Sequence, residues 1–75
     1  MMLNENDEAV LTRDLPQFGL KRGDVGTVVL VHAAGGYDVE FMTFDGETIA
    51  VASLSLEEVR PVAHGEVPHA RELSS

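Results

Sequence analysis

The chain has 75 residues, with 13 acidic and 5 basic side chains, a formal net charge of −8 and no cysteine. A chain of this length forms one small domain, and a large enclosed active-site cavity is disfavoured. The lack of cysteine excludes disulfides, thiolate catalysis and zinc sites that need sulfur ligands, while the negative charge disfavours binding to phosphate backbones. The acidic N-terminus has no signal sequence, and no apolar run approaches the roughly 20 residues that span a bilayer. We therefore expect a cytoplasmic protein with no membrane role.

The N-terminal third predicts one strand and one long loop. Residues 1–7 are polar and are expected to be frayed, and the first strand covers residues 8–12. Residues 13–24 are rich in turn-forming residues and predict a loop. This loop contains side chains that are too apolar for a solvated segment, namely Leu15, Phe18 and Leu20. We expect it to fold back and cap the core.

The second predicted strand covers residues 25–31 and is the longest β-branched run in the chain. Gly26 interrupts this run, and a glycine inside a strand often marks a bulge or a sharp bend. We place a bulge at residues 26–27, which would let Val25 and Val28 both face the core. Such a bend also helps to close a barrel.

Two turn signals delimit the third predicted strand, which covers residues 37–44. Gly35-Gly36 and Asp45-Gly46 are typical of tight hairpin turns. The alternation between them predicts that Tyr37, Val39 and Phe41 face the core and that Asp38 and Glu40 face water.

The fourth predicted strand covers residues 47–52 and is apolar on both faces. Thr48, Ala50, Ala52 and Leu54 form the predicted inward set, while Ile49 and Val51 form an apolar opposite face. A strand of this kind is either covered on both sides or presents one face to a partner.

The C-terminal part predicts a turn, a last strand and a tail. Residues 53–59 indicate a short helical turn with Ser55 as its N-cap, and Pro61 suits a brief edge strand. Residues 63–75 show no periodicity and predict a disordered tail. The predicted fold class is all-β, a small five-stranded SH3-like barrel over residues 8–62 with a short helical turn before the last strand.

Several segments resemble a bacterial family of small uncharacterised SH3-like barrels, a domain of unknown function. They are VLTRDLP at residues 10–16, GLKRGDVGTVV at 19–29, YDVEF at 37–41, Asp45-Gly46 and LEEVRPV at 56–62. The resemblance covers roughly residues 8–62 and implies the barrel fold, but it implies no activity. GDVGTV at residues 23–28 is also similar to the KOW motif of ribosomal and transcription-elongation proteins. KOW modules that bind RNA usually carry basic loops, and this acidic chain departs from that pattern.

No catalytic, cofactor or metal site is predicted. His64 and His69 lie in the predicted tail and His32 lies at a strand end, so we interpret all three as solvated. General acid–base catalysis needs carboxylates in a cleft, whereas the nearest candidates lie on an exposed strand face, namely Asp38, Glu40 and Glu47. We expect no enzymatic activity, no cofactor and no small-molecule substrate.

The surplus of apolar residues favours contact with another protein. The candidate partner-binding residues are Ile49, Val51, Met42, Phe18 and Leu20. The alternative is that the long loop and the N-terminal segment cover these side chains within the monomer. Our first hypothesis is a non-enzymatic interaction module that binds a basic protein partner, as an inhibitor would, or binds itself as a homodimer. The second is a KOW-like nucleic-acid or ribosome-associated module that uses Arg13, Lys21, Arg22 and Arg60.

Overall fold

The computed structural model describes residues 3–73, which form one antiparallel sheet of five strands. The strands are β1 (Glu8–Leu11), β2 (Val25–Val31), β3 (Tyr37–Met42), β4 (Thr48–Leu54) and β5 (Val59–Pro61). Their order in the sheet is β4-β3-β2-β1-β5, so β4 and β5 form its two edges. This architecture confirms the predicted all-β fold class and is consistent with a small SH3-like barrel.

The helical turn lies elsewhere than predicted. A 3-10 helix spans Pro16–Phe18, inside the loop between β1 and β2. Before β5 the chain makes a turn in which the Glu58 N–H donates to the Ser55 carbonyl at 3.1 Å. The Ser55 N–H donates to the Glu58 carboxylate at 2.9 Å, so the acidic side chain satisfies the backbone at this turn.

The core lies on one face of the curved sheet, as strand alternation requires. Tyr37, Val39 and Phe41 of β3 are buried, whereas Asp38 and Glu40 are partly exposed, which confirms the predicted alternation. The rest of the core cluster comes mainly from the other strands and the long loop, and its members are Leu3, Ala9, Leu11, Leu15, Leu20, Val28, Ala52, Leu54 and Val59. This face is the inner face, and the opposite side of the sheet is the outer face.

Residues 3–7 differ from the expected frayed end. Leu3 belongs to the core cluster, and its N–H donates to the Tyr37 hydroxyl at 3.1 Å. The Asn6 N–H donates to the Val28 carbonyl at 2.8 Å, which extends the pairing beside β2. A single buried leucine therefore anchors a segment that its polar composition predicts to be free. Met1 and Met2, which share that prediction, lie outside the described residues.

The loop between β1 and β2 folds back as predicted, with one exception. Leu15 and Leu20 pair with each other through an isolated antiparallel bridge, and both are buried. Phe18 lies between them on the 3-10 helix and stays exposed.

The bulge in β2 lies at Val29, not at residues 26–27. Gly26 pairs with Ala9 of β1 without a shift in register. The shift occurs between Val28 and Leu30, where β2 pairs with β3. As a result Val28 and Val31 both pack toward the core, while Val25 is exposed.

Gly26 is needed because three strands approach closely at this point. A Cβ at this position would lie 2.6 Å from Val39 Cγ1, 2.8 Å from the Glu40 carbonyl oxygen and 2.9 Å from Phe41 Cδ1. Separations this short are far inside van der Waals contact, so any side chain would push β2 away from β3.

A second bulge lies in β4 at Ile49 and divides the predicted apolar face. Phe41 pairs with Ala50, but Met42 pairs with Thr48, so Ile49 has no partner on β3. Ile49 packs against the core cluster. Val51 pairs with Glu40 on the outer face and is 55% exposed. The prediction that Ile49 and Val51 share one face is therefore wrong, because the bulge reverses the alternation between them.

We expect Gly26→Ala to lower the free energy of unfolding by about 3 kcal/mol, at the upper end of overpacking effects. Gly46→Ala is the matched control, because Gly46 has a φ of +92° and nothing within 4 Å of an added Cβ. Gly46→Ala should lower the free energy of unfolding by about 1 kcal/mol, because alanine is strained in this left-handed backbone conformation. Urea unfolding measures both variants. Equal losses for the two, or wild-type stability for Gly26→Ala, would contradict the packing argument.

Candidate binding groove

The residues after β5 lie across the outer face of the sheet and form one side of a groove. Residues 62–73, here called the strap, contain no strand or helix. Within the described part of the chain, the strap makes one backbone hydrogen bond, from the Glu66 N–H to the Ala63 carbonyl, and none to the sheet. Side-chain contacts therefore hold it in place.

The groove between the strap and the sheet has a volume of about 890 Å³. The sheet and the β3–β4 hairpin contribute Val10, Val25, Phe41, Met42, Phe44 and Ile49, and the strap contributes Val62, Val67, Pro68, Ala70 and Leu73. Phe44 at the hairpin tip is 89% exposed and Val67 of the strap is 84% exposed. The groove thus presents apolar side chains to solvent from both of its sides.

Val10 shows that the outer face is covered beside β1. Its neighbours Ala9 and Leu11 belong to the core cluster, so Val10 points to the outer face. It is nevertheless only 5% exposed, and it lines the groove.

An ion pair between Asp24 and Arg71 holds the end of the strap. Arg71 Nε donates to Asp24 Oδ1 at 2.8 Å, and Arg71 Nη2 donates to Asp24 Oδ2. Arg71 Nη2 also donates to the Gly19 carbonyl at 3.2 Å. Burial raises the pKa of Asp24, but the hydrogen bonds from Arg71 and from the Lys21 N–H outweigh it and lower the pKa below its ordinary value. Asp24 therefore stays ionised at neutral pH.

A second ion pair holds the start of the strap. Arg60 of β5 donates from Nη1 to Glu66 Oε1 at 2.8 Å and from Nη2 to Glu66 Oε2 at 2.7 Å. The Ala63 N–H also donates to Glu66 Oε1. The Arg60 guanidinium and this N–H lower the pKa of the Glu66 carboxyl to about 2. The pair is well exposed, so it orients the chain more than it stabilises it.

The groove brings together three of the five predicted partner-binding residues. Met42, Ile49 and Leu20 all line it. Leu20 is only 4% exposed, so it serves the core rather than a partner. Phe18 on the 3-10 helix and Val51 on β4 are exposed but are not among the groove residues.

Several groove residues were not predicted from the sequence. Asp24 and Val25 were assigned to a loop end and to the core, and Arg71 was assigned to a disordered tail. An arginine and three large apolar residues within the tail, Val62, Val67 and Leu73, were a signal that this segment contacts the barrel. Disorder of the tail in solution stays a prediction, and Ser74 and Ser75 lie outside the described residues.

The polar cluster on the outer face is a structural one. His32 Nε2 lies 2.7 Å from Asp38 Oδ1, and Ser53 Oγ donates to the same oxygen at 2.6 Å. These contacts from Ser53 and His32 lower the pKa of Asp38. In a nucleophilic triad the histidine lies between the serine and the carboxylate, whereas here Ser53 and His32 both contact Asp38 directly. Among residues 3–73, no three or more His, Cys, Asp or Glu side chains are placed to hold a metal ion.

Of the four basic residues proposed for nucleic-acid binding, Arg60 is paired with Glu66. The backbone N–H groups of Lys21 and Arg22 donate to the carboxylates of Asp24 and Asp14. Five carboxylates and two guanidinium groups line the groove, which makes it negative as a whole.

Comparison with known proteins identifies one family. Residues 5–61 match the family model described as "Domain of unknown function (DUF4926)". Neither the comparison with curated proteins nor that with solved structures gives a match. The strap lies outside the matched residues. In the described part of the chain, no helix has the length and apolar character needed to cross a membrane.

We expect Arg60→Gln to raise the pKa of Glu66 from about 2 toward its ordinary value of 4.5, because the guanidinium contributes most to the lowering. Arg71→Gln should raise the pKa of Asp24 and leave that of Glu66 unchanged, since the two ion pairs are separate. Carboxyl NMR titration measures both values.

The sign of the pH effect follows from these shifts. A carboxyl group whose pKa is lower in the folded state than in the unfolded state stabilises the fold. This stabilisation is complete at pH values above the unfolded-state pKa, and it is lost as the pH falls through the folded-state pKa. For Glu66 the loss runs from pH 4.5 down to about 2. A Glu66 pKa that stays near 2 in Arg60→Gln would show that the ion pair is not its cause.

Proposed function

The chain belongs to the DUF4926 family, a family of unknown function, and from the groove we propose that it is a non-enzymatic protein-binding module of the cytoplasm. Its groove holds an extended segment of a partner protein. One observation carries this proposal: among residues 3–73, six of the eleven exposed large apolar residues line the same groove, namely Val25, Met42, Phe44, Val62, Val67 and Leu73. Concentrated apolar exposure on a small domain is typical of a contact site.

The ionisable groups of the groove support binding rather than catalysis. Asp24 and Glu66 each neutralise an arginine, and both have lowered pKa values. A general acid needs a raised pKa to hold its proton at neutral pH, and these groups have the opposite shift.

The charge of the chain supports a basic partner. The groove is negative, and the whole chain has a formal net charge of −8. Such a field attracts basic segments and speeds their association at low ionic strength. The KOW-like alternative, which needs a positive surface, receives less support from the net negative charge and from the pairing of Arg60 with Glu66. The KOW-like and bacterial relationships themselves stay predictions.

We expect 12-residue peptides selected by phage display on the wild-type protein to bind in the groove. Met42→Asp combined with Phe44→Asp should weaken their binding about tenfold or more, because two charges would replace exposed apolar contacts. Val29→Asp combined with Val51→Asp is the matched control, since it places the same two charges on exposed positions of the outer face outside the groove. Fluorescence anisotropy measures the affinities. Equal binding to the groove variant and the control would contradict the proposal.

A second candidate, self-association, is favoured by the outer face of β2 and β4. Val29, Leu30 and Val51 are each more than two-fifths exposed there, beside Asp38 and Glu40 of β3. Light scattering at high concentration should then detect a dimer, and Val51→Asp should convert it to a monomer. A monomer at all concentrations for the wild type would exclude this homodimer.

A further inference from the structure

We infer that the end of the strap is a built-in ligand of the arginine site that borders the groove, and that a partner segment displaces Arg71 there and supplies its own arginine to Asp24 and Gly19. The Arg60–Glu66 pair keeps the start of the strap in place. This inference rests on the proposed function and names the chemistry of its partner. The occupant is an extended, partly apolar protein segment that contains arginine.

The arginine site belongs to the barrel and does not depend on the strap for its shape. The Leu11 N–H donates to the Asp24 carbonyl and the Gly23 N–H donates to the Leu11 carbonyl, both at 2.9 Å. The Lys21 N–H donates to Asp24 Oδ2 at 2.8 Å. These bonds tie the loop to β1 and fix the carboxylate in place before any arginine arrives. Preorganised sites of this kind bind with a smaller entropic cost.

The geometry of this site matches a guanidinium group. The two carboxylate oxygens of Asp24 face two nitrogens of Arg71, and the Gly19 carbonyl accepts from one of them. Lysine has one nitrogen and does not reproduce this paired contact. The side chains of Arg71 and Asp24 keep only 23% and 18% of their surface exposed, so solvent weakens the contact less than at an open surface.

The two halves of the contact come from different parts of the chain. Asp24 and Gly19 lie within the family-matched residues 5–61, while Arg71 lies outside them. The domain therefore carries an acceptor for arginine, and the strap of this chain fills it. A partner segment with the same chemistry competes for the same acceptor.

The strap is held loosely enough to be displaced. The described residues show no backbone hydrogen bond between the strap and the sheet, and every strap residue except Arg71 is exposed. Two ion pairs at the ends of the strap thus carry most of its attachment, and loss of the Asp24–Arg71 pair frees its end.

The test uses full-length Arg71→Ala protein, whose acceptor is intact but whose own strap cannot fill it. The probe is a synthetic peptide of residues 62–73, with the Arg71→Ala and Arg71→Lys peptides as controls. NMR titration follows the amide shifts of residues 19–25 and gives the affinity. The strap is tethered to the barrel and therefore acts at an effective concentration of about 1 mM. The free peptide lacks this advantage, so the titration extends to millimolar peptide concentrations.

We expect the wild-type peptide to shift residues 19–25 of the Arg71→Ala protein. Both control peptides should bind about fivefold weaker, as for a partly exposed ion pair. The wild-type protein should bind the peptide about tenfold weaker than the Arg71→Ala protein does, because its own strap occupies the site most of the time. Asp24→Asn combined with Arg71→Ala should remove the arginine preference while keeping an oxygen to accept the Lys21 N–H.

Two results would overturn the inference. One is absence of shifts at residues 19–25 with the wild-type peptide, and the other is equal affinity for the wild-type and alanine peptides. If phage-selected peptides still bind the groove without any dependence on arginine or Asp24, the proposed function stands and this inference fails. If neither kind of peptide binds, both fail.

Discussion

The close contact of β2 with β3 at Gly26 is the constraint on which the rest of the structure depends. A Cβ there would lie within 3 Å of both side-chain and backbone atoms of β3. Because Gly26 also pairs with Ala9, one residue without a side chain brings three strands together. The residues just before it, Asp24 and Val25, are thereby held at the end of β2, where they border the groove.

The groove follows from this arrangement together with the strap. The barrel supplies Val10 from the outer face of β1, Met42 and Phe44 from the β3–β4 hairpin, and the bulged Ile49. The strap crosses this face and is attached by charged contacts near its two ends. The core cluster contains no strap residue, so the strap contributes little to the packing that stabilises the fold. A change in the strap can alter the access to the groove without altering the fold.

Much of the fold could be predicted from local sequence patterns. The alternation in residues 37–41, the turn signals at Gly35-Gly36 and Asp45-Gly46, and the apolar loop residues Leu15 and Leu20 all led to correct elements. These features act over a few residues, so the sequence displays them directly. The family model matches residues 5–61, and the five-stranded sheet is consistent with a small SH3-like barrel.

The bulges and the groove could not be predicted in the same way. Gly26 indicated a backbone irregularity, but the choice between a bulge and a close approach depends on β3, which is distant in sequence. A bulge at Ile49 turns this side chain to the face opposite Val51, and nothing in residues 47–54 marks the position of the bulge. The contact of Arg71 with Asp24 joins residues 47 positions apart. The tail has no periodic pattern, so the sequence does not indicate that Arg71 contacts Asp24.

The bulge in β4 has a consequence for solubility. As an edge strand, β4 exposes backbone groups with which a second chain can pair, and such edges start fibrillar aggregation. The irregular position at Ile49 interrupts the regular spacing of these groups, so a neighbouring copy can match the edge only over its last few residues. The excess of negative charge adds repulsion between copies. The backbone geometry of this edge and the charge of the chain therefore both act against strand pairing between copies.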